Sequence, residues 1–241
     1  MNARIESPEH ELIPHLADDS LGRIAVQLPG ATAVFRSHKL DFCCGGQVSL
    51  RQAAQEKNLD LQTVVAELAG LQRDNEAPQD TDPVALVDHI LQRYHEVHRA
   101  QLPELVRMAR RVEAVHRDNP EVPAGLAQLL ETMEGELLDH MQKEEAILFP
   151  ILKAGGNPFV VHPIAMMRSE HIAHGEQLDR LSALTHDATL PAGACNTWQA
   201  LYAGIAQLKD DLINHIHIEN NVLFVQFEPR TATQAAGACS A

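Results

Sequence analysis

The ten residues from His140 to Phe149, HMQKEEAILF, decide the fold because the sequence repeats their pattern at residues 215–224, HIHIENNVLF. Both stretches read H-x-x-x-E-x-x-[IV]-L-F, and they begin 75 residues apart. The segments before them repeat as well, since residues 95–98 and 171–174 both read H-x-x-H, 76 residues apart. We therefore interpret the larger part of the chain as two copies of one helical hairpin.

Four long helices are predicted in this part of the chain from apolar residues spaced three and four positions apart. Breaks rich in proline and glycine separate them at residues 119–123, 155–158 and 190–193. Short connections make consecutive helices antiparallel neighbours, so the pattern predicts a four-helix bundle. The four stripes are Val84, Val87, Leu91, His95, His98, Leu102 and Leu105; Leu126, Leu130, Met133, Leu137, His140, Glu144, Leu148 and Ile151; Ile164, Met167, His171, His174, Leu178 and Leu181; and Leu201, Ile205, Leu208, Leu212, His215, Glu219 and Val222.

Each stripe is interrupted by polar residues that an apolar core does not normally accept. Residues four apart on an α-helix lie one turn apart on the same face, so the His and Glu of each motif can reach one point. An approximate two-fold relation between the hairpins brings the two pairs face to face, and a histidine from each remaining helix completes the set. The six candidate metal ligands are His95, His140, Glu144, His171, His215 and Glu219.

Four imidazoles and two carboxylates suit iron, manganese or zinc, and two carboxylates able to bridge favour a pair of metal ions. We choose iron among the three. Such a centre leaves coordination positions for a bridging oxygen or for a small ligand such as O₂ or NO.

The other histidines and the flanking acids leave alternatives open. A lone histidine on an apolar stripe is usually a core residue, but here six polar residues recur in register. His98 and His174 lie on the same stripes and are either ligands or residues that line the site. Glu136 and Glu170 either tune the ligands by hydrogen bonds or lie on a solvated helix edge. The histidines off the pattern, expected at the surface or in loops, are His10, His15, His38, His89, His116, His162, His186 and His217.

Residues 20–72 are predicted to form a small helical unit, in which Ser20 caps a first helix, Pro29 opens a second and Ser49 restarts the pattern. A polar linker with two prolines follows at residues 73–83. The predicted organisation is a small helical domain at 1–75, the bundle at 83–228 and a flexible tail at 229–241.

Composition agrees with an all-α protein, since aromatic residues make up only 4% of the chain. The formal charge of −14, with 19 Lys and Arg against 33 Asp and Glu, argues against nucleic acid as a partner. No run of about 18 apolar residues and no secretory signal is present, which predicts a cytoplasmic protein without a membrane partner.

Cys43 and Cys44 are adjacent and are followed by two glycines, unlike the spaced cysteines of a secreted disulfide framework. A helix N-terminus facing the pair would stabilise a thiolate, making it redox-active or able to hold iron. Alternatively, the two cysteines are small core residues. Cys195 and Cys239 fall outside any pattern.

These motifs resemble those of the iron–sulfur cluster repair di-iron proteins. The segments that carry the resemblance are LDFCCGG at 40–46, RYH at 93–95, QLPEL at 101–105, HMQKEE at 140–145, SEH at 169–171 and ENNVLF at 219–224. The resemblance implies a haemerythrin-like four-helix bundle with a small helical N-terminal domain. It also implies two non-haem iron ions with an oxo or hydroxo bridge, held by the same six residues, with both glutamates bridging.

For function, the resemblance implies repair of iron–sulfur proteins damaged by oxidative or nitrosative stress, in the cytoplasm, by a chain that can form a homodimer. Supplying iron to the damaged cluster is our leading hypothesis. The alternative is a haemerythrin-like protein that binds, sequesters or senses NO or O₂, because histidine-rich di-iron sites favour reversible binding. A di-iron oxygenase is a third interpretation, for which the sequence offers no substrate pocket.

Overall fold

The computed structural model describes residues 16–28, 30–71 and 82–228. Over these ranges the chain is all-α, as predicted, and a single antiparallel bridge joins Ser20 and Ser49. The described residues form two compact units: the N-terminal residues together with His217–Val222, and Asp82–Ile216 together with the residues that follow Val222. Pro29, the predicted linker from residue 73 to residue 81 and the predicted tail lie outside the described residues.

In the first unit, helices form where capping residues start them. Ser20 Oγ accepts the backbone N–H of Arg23 at 3.3 Å, so the predicted cap is confirmed. Ser49, predicted to restart the helical pattern, also caps a helix, since its Oγ accepts the backbone N–H of Gln52 at 3.2 Å. Helix α2 packs against α1 and α4, and α3 packs against α4. The helices are α1 (Leu21–Gln27), α2 (Ala31–Ser37), α3 (Leu50–Glu56) and α4 (Leu61–Ala69).

Residues 82–228 form four long helices separated by the three predicted breaks. Asp82 caps the first of them by accepting the N–H of Ala85 at 3.1 Å, with Pro83 at the first helical position. The ranges are α5, residues 83–115; α6, residues 126–153; α7, Val161–Thr185; and α8, residues 196–226. Helix α6 packs against both α5 and α7. No helix in the described ranges is long and apolar enough to cross a membrane.

Three of these helices contain one π-helical turn each. The turns are Leu91–His95 in α5, Glu144–Leu148 in α6 and Glu219–Leu223 in α8. Each begins or ends at a candidate ligand, and π-turns inside α-helices are frequent at functional sites. The helices therefore depart from regular geometry at the positions where the sequence places its metal chemistry.

The predicted stripes form the core of these helices. All six stripe residues of α7 are buried, as are Leu201, Ile205, Leu208 and Leu212 of α8. Val84, in the first turn of α5, is 40% exposed, and Leu91, Ile151 and Val222 are partly exposed. The buried polar residues of the stripes therefore lie among apolar side chains.

Candidate metal centre

The structure brings all six predicted ligands together, and each is at most 1% exposed. They fall into two groups, within each of which one nitrogen or oxygen atom per residue lies within 4.8 Å of the others. The groups are His95, Glu144, His215 and Glu219, and His140, Glu144, His171 and Glu219. Because both glutamates belong to both groups, the arrangement offers two adjacent cation positions that share two carboxylates.

The histidines of each group face each other through their Nε2 atoms. His95 Nε2 lies 3.2 Å from His215 Nε2, and His171 Nε2 lies 3.2 Å from His140 Nε2. Glu144 lies between the groups, with Oε2 at 3.4 Å from Nε2 of His95 and at 3.5 Å from Nε2 of His140. Nitrogen and oxygen donors therefore converge on one buried region.

Two carboxylates outside the groups orient two of the imidazoles. His95 Nδ1 lies 2.7 Å from Glu145 Oε1, and His140 Nδ1 lies 2.8 Å from Glu170 Oε2. An ionised carboxylate only accepts hydrogen bonds, so each Nδ1 carries the hydrogen and donates it. Each Nε2 then presents its lone pair inward, which is the tautomer that metal-binding histidines adopt beside carboxylates.

Basic side chains support these outer carboxylates from the surface. Arg99 donates to Glu145 at 2.7 Å, and Lys143 donates to Glu170 at 2.7 Å. Burial opposes ionisation of Glu145, but the hydrogen bonds from His95 and Arg99 outweigh it and lower the pKa of this carboxyl. The donor set and its orientation fit a divalent metal pair.

Of the two carboxylates that contact Nδ1 of a candidate ligand, only Glu170 was considered from the sequence. Glu170 was expected to tune the ligands or to be solvated, and it contacts His140. Glu136 instead accepts a hydrogen bond from Gln177 at 2.5 Å, so it does not contact a candidate ligand directly. Glu145 was missed, although its position next to Glu144 in the repeated motif was an available signal.

His98 and His174 are buried but belong to neither group of ligands. The His98 ring lies 5.5 Å from the ring of His215, and the His174 ring lies 5.1 Å from that of His140. Burial lowers the pKa of His174, although its contact with Gln177 opposes the shift. Both histidines therefore lie beside the candidate ligands.

Aromatic rings cover three of the four candidate imidazoles. Tyr94 lies parallel to His215 at a centroid distance of 5.3 Å, Phe149 lies 5.6 Å from His95, and Phe224 lies 6.1 Å from His171. These rings contribute apolar surface where the ligands would otherwise meet water.

The cysteine pair lies in a turn organised by Asp41 in the first unit. The Asp41 carboxylate accepts the backbone N–H groups of Cys43, Cys44 and Gly45 at 3.2, 2.9 and 3.0 Å. The two sulfur atoms are 3.7 Å apart and are not joined in a disulfide, and Cys43 Sγ lies 3.3 Å from Asp41 Oδ1. The hydrogen bond with Cys44, burial and the nearby negative charges raise the pKa of Cys43. These surroundings favour the protonated thiol of Cys43.

The turn is closely packed at Gly46, and two asparagines near the end of α8 donate hydrogen bonds to its backbone. A Cβ atom at Gly46 would collide with the carbonyl oxygen of Phe42, so a side chain is excluded there. Asn220 Nδ2 donates to the carbonyl oxygen of Cys43 at 3.0 Å, and Asn221 Nδ2 donates to that of Phe42 at 3.2 Å. His217, expected at the surface, is instead buried with its ring 5.2 Å from that of Phe42.

Comparison with known proteins gives matches over both parts of the chain. Residues 86–227 match the family described as the hemerythrin HHE cation binding domain, and residues 17–72 match a domain of unknown function, DUF542. The iron-sulfur cluster repair protein YtfE of Yersinia pseudotuberculosis serotype O:1b (strain IP 31758) is 49% identical over 210 residues, covering 86% of this chain and 95% of that protein. The protein of the same name from Dickeya chrysanthemi (strain Ech1591) is 46% identical over 213 residues, covering 87% and 96%.

Proposed function

The chain belongs to the family of iron-sulfur cluster repair proteins, and on this premise we propose that it restores damaged iron–sulfur clusters by supplying iron held in its helical bundle. The observation that carries the proposal is the pair of buried His and Glu groups that share Glu144 and Glu219. A protein that donates iron needs a place to hold it, and these groups supply a matched set of nitrogen and oxygen donors.

We assign one iron ion to each group. His95 and His215 would hold the first ion, His140 and His171 the second, and the two shared glutamates would bridge them. When bound, the pair supplies ferrous ions together with the capacity for one-electron redox change. Around it, Glu145 and Glu170 keep the Nδ1 hydrogens of His95 and His140 in place, so that each Nε2 stays directed inward.

We propose that an acidic cavity beside the second group serves as the route of iron to the surface. It has a volume of about 210 Å³, and the residues that line it include Glu136, Asp139, Glu170, Lys143 and His174. Its three carboxylates against one ammonium group would attract a divalent cation. Glu170 contacts His140 and also lines this cavity, so it connects the site with the exit.

We propose that Cys43 and Cys44 act in the transfer of iron. One oxygen of Asp41 and the two sulfur atoms form a group whose members lie within 4.8 Å of one another. A thiol with a raised pKa binds metal when the cation offsets the negative charge of the thiolate and its neighbours. Adjacent cysteines that are not joined in a disulfide suit a reducing compartment, so we propose that the protein acts in the cytoplasm. We also propose that it forms a homodimer.

The test is repair of an iron–sulfur enzyme inactivated by NO. The enzyme is incubated with the iron-loaded protein, with the Glu144→Ala variant, or with an equal concentration of ferrous iron, each in the presence of a ferrous chelator. We expect activity to return with the wild-type protein and to a smaller extent with the other two. Recovery that does not exceed that with free ferrous iron would rule out iron supply by this protein.

The second candidate function is binding of NO or O₂ at the same centre. The observation that favours it is the ratio of four imidazoles to two carboxylates, enclosed by Tyr94, Phe149 and Phe224. Tight binding of one NO per centre by a protein that restores no enzyme activity would favour this function over repair.

A further inference from the structure

A second chemically distinctive pair, Cys195 and His116, lies at the opposite end of the bundle helices from the metal centre. His116 directly follows α5, and Cys195 directly precedes α8. Cys195 lies 20 positions before His215, and almost all of the intervening residues belong to α8, which at 1.5 Å per residue corresponds to about 30 Å. The pair is therefore separate from the candidate ligands.

The geometry of the pair is that of a nucleophile beside a base. His116 Nε2 lies 3.2 Å from Cys195 Sγ, within reach of a proton transfer between the two. The His116 ring packs against the fully buried ring of Trp198 at a centroid distance of 5.0 Å, which restrains its orientation. A thiol, a base within hydrogen-bond reach and a group that orients the base are the components of an activated cysteine.

The helix that follows also favours the thiolate. The hydrogen bond with His116 lowers the pKa of Cys195, and the backbone amides of Trp198 and Thr197 at the start of α8 lower it further, while burial opposes the shift. The helix of 23 residues, Asn196–Ile218, directs its positive dipole end toward this sulfur. The environment of Cys195 is thus the reverse of that of Cys43, whose pKa is raised.

The sulfur opens onto a surface cavity of about 480 Å³. The cavity is lined by the guanidinium-bearing Arg111, by Val112 and Val115, and by His116 and Cys195. Among the residues that line this cavity, the charged and titratable ones besides Cys195 are Arg111, near the end of α5, and His116, which directly follows α5. A cavity of this size admits a small organic molecule, and Arg111 favours one that carries carboxylates.

We propose that Cys195 is a modification site that undergoes thiol–disulfide exchange with a small disulfide bearing carboxylates. His116 takes the proton of the Cys195 thiol, and the thiolate attacks one sulfur of the disulfide. A new bond forms to Cys195 Sγ as the original S–S bond breaks, and the departing thiolate takes the proton from His116. Oxidation of Cys195 is balanced by reduction of the departing half, so the reaction needs no other oxidant. This reaction of Cys195 does not depend on repair of iron–sulfur clusters.

The first experiment follows the reaction of the full-length, iron-loaded protein with glutathione disulfide, using mass spectrometry of the peptides that contain each cysteine. We expect the Cys195 peptide to be modified faster at neutral pH than the Cys43–Cys44 peptide and faster than the same Cys195 peptide in the unfolded chain. In the His116→Gln variant, the pH–rate profile of Cys195 should move to higher pH. Equal rates in folded and unfolded chains, or an unchanged profile in this variant, would overturn the proposal.

The second experiment tests the ligand class with a variant that leaves the core intact. Arg111→Ala should slow the reaction of Cys195 with glutathione disulfide several-fold and leave its reaction with the uncharged 2-hydroxyethyl disulfide unchanged. Arg180→Ala, which removes an exposed arginine of α7, is the matched control and should change neither rate. If Arg111→Ala slowed the reactions with both disulfides equally, or slowed neither, Arg111 would not recognise the carboxylates.

Discussion

His95 Nδ1 lies 2.7 Å from Oε1 of Glu145, and Nε2 of the same ring lies 3.4 Å from Oε2 of Glu144. Two consecutive residues of α6 therefore contact the two nitrogens of one imidazole. The ring of His140 is held similarly, with Glu170 at Nδ1 and Glu144 at Nε2. The outer carboxylates fix which nitrogen of each ring is available to a cation.

We expect Glu145→Gln and Glu170→Gln each to lower iron affinity by about 10- to 100-fold while the bundle stays folded. The amide oxygen still accepts a hydrogen bond, but it lacks the negative charge that makes the imidazole a stronger donor to the metal. Competition with a ferrous chelator measures the change. The controls are Glu96→Gln and Glu176→Gln, which alter exposed glutamates of α5 and α7. Affinities equal to those of the controls would show that the outer carboxylates are dispensable.

Iron removal should destabilise the protein, because six fully buried polar side chains then lack the cation that offsets their desolvation. Free iron at about 100 times its Kd adds roughly 2.7 kcal/mol per site. For a domain of this size, that energy raises Tm by roughly 5–10 °C. Thermal unfolding followed by circular dichroism, with and without iron, measures the difference.

Glu144→Ala removes a carboxylate shared by both groups, so we expect iron content to fall and the iron-dependent rise in Tm to be lost. Glu219→Ala should behave in the same way. Gln142→Ala, an exposed position of α6, is the control and should retain both properties. Two irons per chain in Glu144→Ala would show that this residue is not a bridge.

The sequence was sufficient to predict the helices and the convergence of the six polar residues, because helical periodicity determines which side chains share a face. The π-turns that begin or end at His95, Glu144 and Glu219 were not predicted. A π-turn adds one residue to a turn, and no single residue type in these segments marks it. One additional residue hardly changes the mean spacing of apolar residues along a long helix, so the periodicity does not show it.

Contacts between residues far apart in the chain also could not be predicted from the helical periodicity. His116 and Cys195 are 79 positions apart, and neither lies on an apolar stripe, so nothing local indicated that they would meet. His217 precedes a candidate ligand by two positions, and its burial depends on Phe42, a residue from the other end of the chain. Such pairs follow from the tertiary fold rather than from periodicity.

The predicted domain organisation leads to a deletion experiment. Because all six candidate ligands and the four long stripes lie within residues 83–228, removing residues 1–75 should leave a folded bundle that binds two irons. Asn220 and Asn221 would lose the carbonyl oxygens of Cys43 and Phe42, which water can replace, so a lower Tm is expected. Metal analysis and Mössbauer spectra measure the outcome. A truncated chain that holds no iron would show that the N-terminal residues are needed to form the centre.

The cysteine pair is tested by Cys43→Ser combined with Cys44→Ser. Serine keeps the approximate size and leaves the backbone N–H groups that Asp41 accepts, so the turn should remain intact. It removes the two soft sulfur donors, so both irons should stay bound in the bundle while transfer to a damaged cluster slows. Iron content and the rate of enzyme reactivation are measured on the same preparation, with Cys239→Ser as the control. Loss of iron from the double variant would show that the thiols are needed for iron binding. An unchanged reactivation rate would show that they act only in packing.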